Sequence, residues 1–157
     1  MSQPKPSDFA FRDYIEQLVR KLRKNATQAL DNWDTEAIHD ARVATRRIKA
    51  ALDLLEPALP GDAVREMDRA LRRLRRRFGP LRDIDVMLEH LADLASPVLG
   101  EAVAWAVCEL ERLRDDQRQR CRKKLSAPHT VAAVTGWWDL EEHVRKAEDQ
   151  GRTLLIE

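Results

Sequence analysis

The chain has 157 residues, 43% of them hydrophobic and 35% charged, with 5 Gly, 7 Pro and 2 Cys. That length suits a single domain with a real core, and the composition excludes a disordered chain, a collagen-like repeat and a glycine-rich β architecture. The formal net charge of +1 conceals a separation, because His39 to Arg82 holds 12 Lys and Arg against 6 Asp and Glu while the remainder holds 16 against 21.

Apolar residues recur at spacings of three and four almost throughout, and strict alternation is not sustained anywhere. The expected fold is therefore all-α, an antiparallel bundle of about six helices in one domain over residues 1–157. Ser7 and Asp8 cap a first helix running to about Leu30, behind a polar start that does not read as a signal peptide. Asp34 caps a second helix, ended by Pro57 and the Leu59-Pro60-Gly61 turn. A third runs from Asp62 to Phe78. Gly79-Pro80 reads as a stop and a start, with a fourth helix from Pro80 to about Ala95. Ser96-Pro97 repeats the device before a fifth helix to about Leu125. Ser126-Ala127-Pro128 opens a sixth to about Asp149, interrupted or bent at Gly136. No apolar run approaches the ~18 residues of a membrane span, so a cytoplasmic protein without membrane contact is expected. Cys108 and Cys121 fall about 220° apart on a continuous helix and read as free thiols.

Helical wheels sort the side chains further. On the second helix Ile38, Ala41, Ile48, Leu52 and Leu55 form a face to be buried, and His39, Arg42, Arg46, Lys49 and Asp53 fall on a separate arc of ~80° at 100° per residue. On the third, Leu71, Leu74 and Phe78 form one face, with Arg69, Arg72, Arg73 and Arg76 about 180° away. Solvated helix faces usually alternate charge sign, yet Arg72, Arg73, Arg75, Arg76 and Arg77 run together with no acid between them. Of the 28 basic residues 21 are arginine, whose planar fork grips phosphate in two places and stays charged at any physiological pH. His39 to Lys49 spans about 15 Å of helix, a length suited to an extended polyanion rather than to one small phosphate.

The segment Ile38-His39-Asp40-Ala41-Arg42-Val43-Ala44-Thr45-Arg46-Arg47, followed by Leu81-Arg82-Asp83-Ile84-Asp85-Val86, resembles the CHAD family, the conserved-histidine α-helical domain. The likeness is strongest from about Asp34 to Leu91. It implies a helical bundle that binds inorganic polyphosphate on a basic surface or channel without catalysis. By that resemblance His39, Arg42, Arg46 and Arg47 match the signature histidine and arginines, and Arg72, Arg73, Arg76 and Arg82 fall in the second basic helix and turn. Lys49 and Arg69 extend the same stripes. Arg114, Arg118 and Arg122, at i, i+4 and i+8, are additional candidate contacts. The family usually pairs two such repeats around a shared channel, and this sequence carries one signature copy. Two chains forming a homodimer would restore the missing half; a single chain would leave an open basic face. The cellular setting implied is the cytoplasm, including polyphosphate granules.

Other chemistries find less support. Glu36-Ala37-Ile38-His39 has the Glu-x-x-His spacing of carboxylate-bridged metal bundles, but the second copy such sites need is missing. Asp83 and Asp85 diverge on a helix, and acids soon after a helix start are explained by the helix dipole, so a structural role is expected for them. No phosphate-binding glycine loop, paired Cys-x-x-Cys or nucleophile–base pair is present. Neither a catalytic residue, a metal nor a cofactor is expected. His90, His129 and His143 have no comparable setting. Trp33, Trp105, Trp137 and Trp138 lie outside the stripes and are expected in the core or at an interface, with Gly136-Trp137-Trp138 as the candidate oligomer contact. The rival readings are a nucleic-acid binder using the stripes on the phosphate backbone and a helical scaffold docking an acidic protein.

Overall fold

A computed structural model describes residues 11–94, 99–125, 136–137 and 140–150, and all of its regular structure is helical. Helix α1 spans Phe11–Asn32, α2 Thr35–Leu55, α3 Gly61–Asp93 and α4 Gly100–Lys124. A further helix, α5, covers residues 140–150. Among the described residues no helix is long and apolar enough to cross a membrane.

The amphipathic stripes build the core. Ile15, Leu18, Leu22, Ala26 and Ala29 of α1 meet Ile38, Ala41, Ile48 and Leu52 of α2 and Met67, Leu71, Leu74, Phe78 and Leu81 of α3. Trp137, Leu140 and Val144 close the same cluster. The side chains read as buried faces on the second and third helices are thus buried, apart from Leu55, which is half-buried. Trp137 is fully buried inside the single chain, in the core that was one of the two places expected for it. Trp138 lies outside the described residues. Trp105 is 70% exposed, which removes the core from the two places expected for it.

Two connections fix the helix order. Between α1 and α2, Trp33 adopts a positive φ of 55°, in the left-handed position that usually holds Gly or Asn after a helix. Its N–H donates to the Ala29 carbonyl at 3.1 Å. Its indole is buried, and the Arg122 guanidinium stands 5.7 Å from the ring centroid. Packing and a cation–π contact therefore offset the backbone strain. Asp34 then caps α2 as expected, its side chain accepting from the Ala37 N–H at 2.7 Å. Between α2 and α3 the short 3-10 turn Glu56–Ala58 holds Pro57, and buried Leu59 anchors the corner.

One expected boundary is absent. Gly79-Pro80 does not end a helix: α3 runs unbroken for 33 residues from Gly61 to Asp93 with Pro80 inside it. Proline removes one i→i−4 hydrogen bond, but Phe78 and Leu81 on either side are fully buried, and that packing carries the helix through. The expected Ser7-Asp8 cap, Ser96-Pro97 and the Ser126–Pro128 start lie outside the described residues. The first and last described helices meet where Glu148 of α5 accepts from the Phe11 and Arg12 N–H groups, a carboxylate satisfying orphan donors at the positive end of α1.

Candidate anion-binding surface

Helices α2 and α3 run antiparallel. Their short connection sets Leu55 near Gly61, and the same register recurs at the far end, where Arg42 Nη1 donates to the Arg75 carbonyl at 3.3 Å. The contact is close enough that a Cβ on Gly79 would lie 2.8 Å from Arg42 Nη1. By this register Arg46 lies level with Arg72, one turn along each helix.

The arginine run itself divides. Arg72, Arg73, Arg76 and Arg77 are exposed and Arg75 is half-buried; the charge of Arg77 is felt at Cys121 on α4, where burial pushes the thiol up to about 11 against the pull of that guanidinium. Cys121 is buried and Cys108 exposed, both unbridged.

Several candidates are already engaged. Lys49 pairs with Asp53, Arg72 with Asp68 at 2.8 Å, Arg82 with Glu89 at 2.8 Å and Arg118 with Asp115 at 3.0 Å. Arg114 is held most firmly. Its Nε lies 2.7 Å from Asp85 Oδ1 and its Nη2 donates to Thr35 Oγ1 at 2.6 Å, which ties α4 to α3 and to the start of α2. Asp85 is buried, so the structural role expected of it holds; Asp83 is exposed. Arg82, placed by sequence in a turn, stands inside α3. By contrast His39, Arg46, Arg47, Arg69, Arg73 and Arg76 are exposed and make no ion pair among the described residues.

His39 and Arg47 also face the other neighbour of α2. With Lys21 and Asn25 of α1, and with Asp40, they line an open groove of about 310 Å³. Lys21 was not among the sequence candidates. Its signal is the tight α1–α2 connection, whose antiparallel register sets Lys21 opposite Arg47. Arg118 and Arg122 are not part of either stripe: they line a separate notch of about 250 Å³ with Trp33, Asp115 and Gln119. No group of three or more His, Cys, Asp or Glu residues placed to hold a metal occurs among the described residues.

Exposed guanidinium groups that make no ion pair among the described residues can donate to the oxygens of an anion. The CHAD domain model matches residues 13–155, and the chain belongs to the CHAD family, which is associated with polyphosphate binding. No curated protein and no solved structure matches the chain.

Proposed function

We propose that the protein is a non-enzymatic module that captures inorganic polyphosphate along the cationic side of α2 and α3. The observation that carries this reading is the set of five exposed arginines, Arg46, Arg47, Arg69, Arg73 and Arg76, with exposed His39 beside them, that have no carboxylate partner among the described residues. Like charges this close repel, and a chain of phosphates relieves the repulsion while gaining charge-assisted hydrogen bonds. Arg42 fixes the spacing of the two helices, and Lys21 extends the charge into the α1 groove. Arg72, Arg82 and Lys49 join by exchanging an exposed carboxylate for phosphate, whereas Arg114 serves mainly to hold α4. Two chains related by a twofold axis would set two such faces around one polyanion, and the same capture would retain the protein at cytoplasmic polyphosphate granules.

The test is titration with polyphosphates of defined length at several salt concentrations, with light scattering on the same samples. Long chains are expected to bind far more tightly than orthophosphate, with affinity falling steeply as salt rises because each contact releases a counterion. Arg46, Arg73 and Arg76 changed together to Gln should remove several kcal/mol of binding, at about 1.5–3 kcal/mol per charged hydrogen bond, with helical content unchanged. Equal affinity for orthophosphate would sink the multi-site reading. DNA or RNA displacing polyphosphate at equal phosphate concentration would favour the nucleic-acid reading, and a monomer in both free and saturated states would favour the open face over the twofold assembly.

A further inference from the structure

The far end of the α3–α4 pair is built unlike the rest of the molecule. Asp85 with Arg114, and Arg77 beside Cys121, show the two helices running antiparallel. Beyond those contacts the core stops: from Val86 to Arg120 no described residue is buried. The apolar residues continue nonetheless. Leu88, Leu91, Val103, Val107 and Leu110 are only half-buried, and Met87, Leu94, Leu99, Trp105 and Leu113 are exposed, leaving Leu54 as the one exposed large hydrophobic elsewhere among the described residues. Met87, Leu91 and Leu94 recur at i, i+4 and i+7, one face of α3. Two helices cannot cover such faces by themselves.

The charge of this hairpin is equally one-sided. From Asp83 to Glu111 the sequence holds seven Asp and Glu and not one Lys or Arg. Asp83, Asp93, Glu101 and Glu111 make no ion pair among the described residues.

We propose that this hairpin end is a docking surface for a cationic amphipathic helix of another protein, with the partner's apolar stripe against Met87, Leu91 and Leu94 of α3 and its Lys and Arg toward the unpaired carboxylates of Asp83 and Asp93. Helix-in-groove recognition needs both halves of that match. A second copy meeting hairpin on hairpin would set carboxylate against carboxylate. The chain's own cationic faces on α2 and α3 lack the apolar half, with Leu54 as their one exposed large hydrophobic. An anionic lipid surface needs Lys or Arg, which the stretch from Asp83 to Glu111 does not have. The docking surface is independent of the anion-binding reading, and the two sites carry opposite charge.

The test uses the full chain and synthetic helical peptides of about five turns with Leu at i, i+3, i+4 and i+7, their other positions filled by Lys in one peptide and by Glu in the second. Calorimetry should show the Leu/Lys peptide binding at least about tenfold more tightly than the Leu/Glu peptide, and losing affinity as salt rises. Met87→Ser with Leu94→Ser, both exposed sites, should remove that binding while leaving polyphosphate affinity and helical content unchanged. Asp83→Asn with Asp93→Asn should weaken the Leu/Lys peptide alone. Equal binding of the two peptides overturns the proposal, as does unchanged binding by the Met87→Ser, Leu94→Ser variant. So does a dimer of the free chain that this variant converts to monomer, because a second copy then occupies the surface.

Discussion

Gly79 is where a signature arginine touches the neighbouring helix, and its missing side chain decides where that arginine goes. A Cβ there would stand 2.8 Å from Arg42 Nη1, and the flexible guanidinium would move sooner than the backbone. Alanine also favours a helix interior over glycine by up to about 1 kcal/mol. Gly79→Ala is therefore expected to melt at the same temperature as the wild type or slightly higher, yet to bind polyphosphate several-fold more weakly because Arg42 leaves the Arg75 carbonyl. Thermal unfolding and calorimetry on the same sample check both halves. Asp85 gives a second prediction. Burial raises its carboxyl above the ordinary aspartate value, and Arg114, then Arg82 and Arg118, pull it part of the way back. In the window from the unfolded value of about 3.9 up to the raised one, the folded chain keeps a proton that the unfolded chain has lost. Stability from this group therefore falls as pH rises through that window and is level above it. The difference between wild type and Asp85→Asn in denaturant titrations should carry that slope, since the other carboxylates cancel. A difference independent of pH from 3 to 7 on the laboratory scale, roughly the range spanned by carboxylate titration, would refute it.

At the scale of elements, α3 separates what local sequence can decide from what it cannot. The buried faces of α2 and α3 were readable because a 3.6-residue period with Ile38, Ile48, Leu52, Leu71, Leu74 and Phe78 on one side leaves the folded chain little choice. Gly79-Pro80 was misread because the same dipeptide serves as a helix stop or as a tolerated interruption, and burial of Phe78 and Leu81 by other helices decides between them. Partnerships across helices were out of reach for the same reason: the Asp85–Arg114 ion pair joins residues whose proximity follows from the antiparallel docking of α4. Among the cationic candidates, sequence placed the α2 and α3 stripes on outward faces, but it could not separate exposed Arg73 and Arg76 from Arg114, which is held inside a junction. Pro80 yields the prediction at this level. Proline in a helix interior is about 3 kcal/mol less favourable than alanine, and a backbone already accommodated to it recovers only part of that. Pro80→Ala is expected to add about 1–2 kcal/mol of stability, raising the melting temperature by roughly 2–8 °C for a domain of this size, with helical content unchanged. A lower melting temperature would mean that the proline shapes the packing rather than merely interrupting a ladder.

The whole molecule is nearly neutral, with a net charge of +1 and an isoelectric point near 7.8, but its charge is laid out along its longest helix. Arg69 to Arg82 contributes seven arginines without an acid, and the following stretch to Glu111 contributes seven carboxylates without a Lys or Arg. In water such a molecule is a dipole, and dipoles attract head to tail even when their net charge vanishes. The consequence is colloidal. Near pH 7.8 at low ionic strength, the protein should cloud in concentrated solution and clear when salt is added, because the screening length shrinks to about 10 Å at 0.1 M. A short polyphosphate should clear the suspension at far lower ionic strength than sodium chloride by covering one pole alone, and turbidity that ignored both additions would show that the poles are too weak to govern solubility.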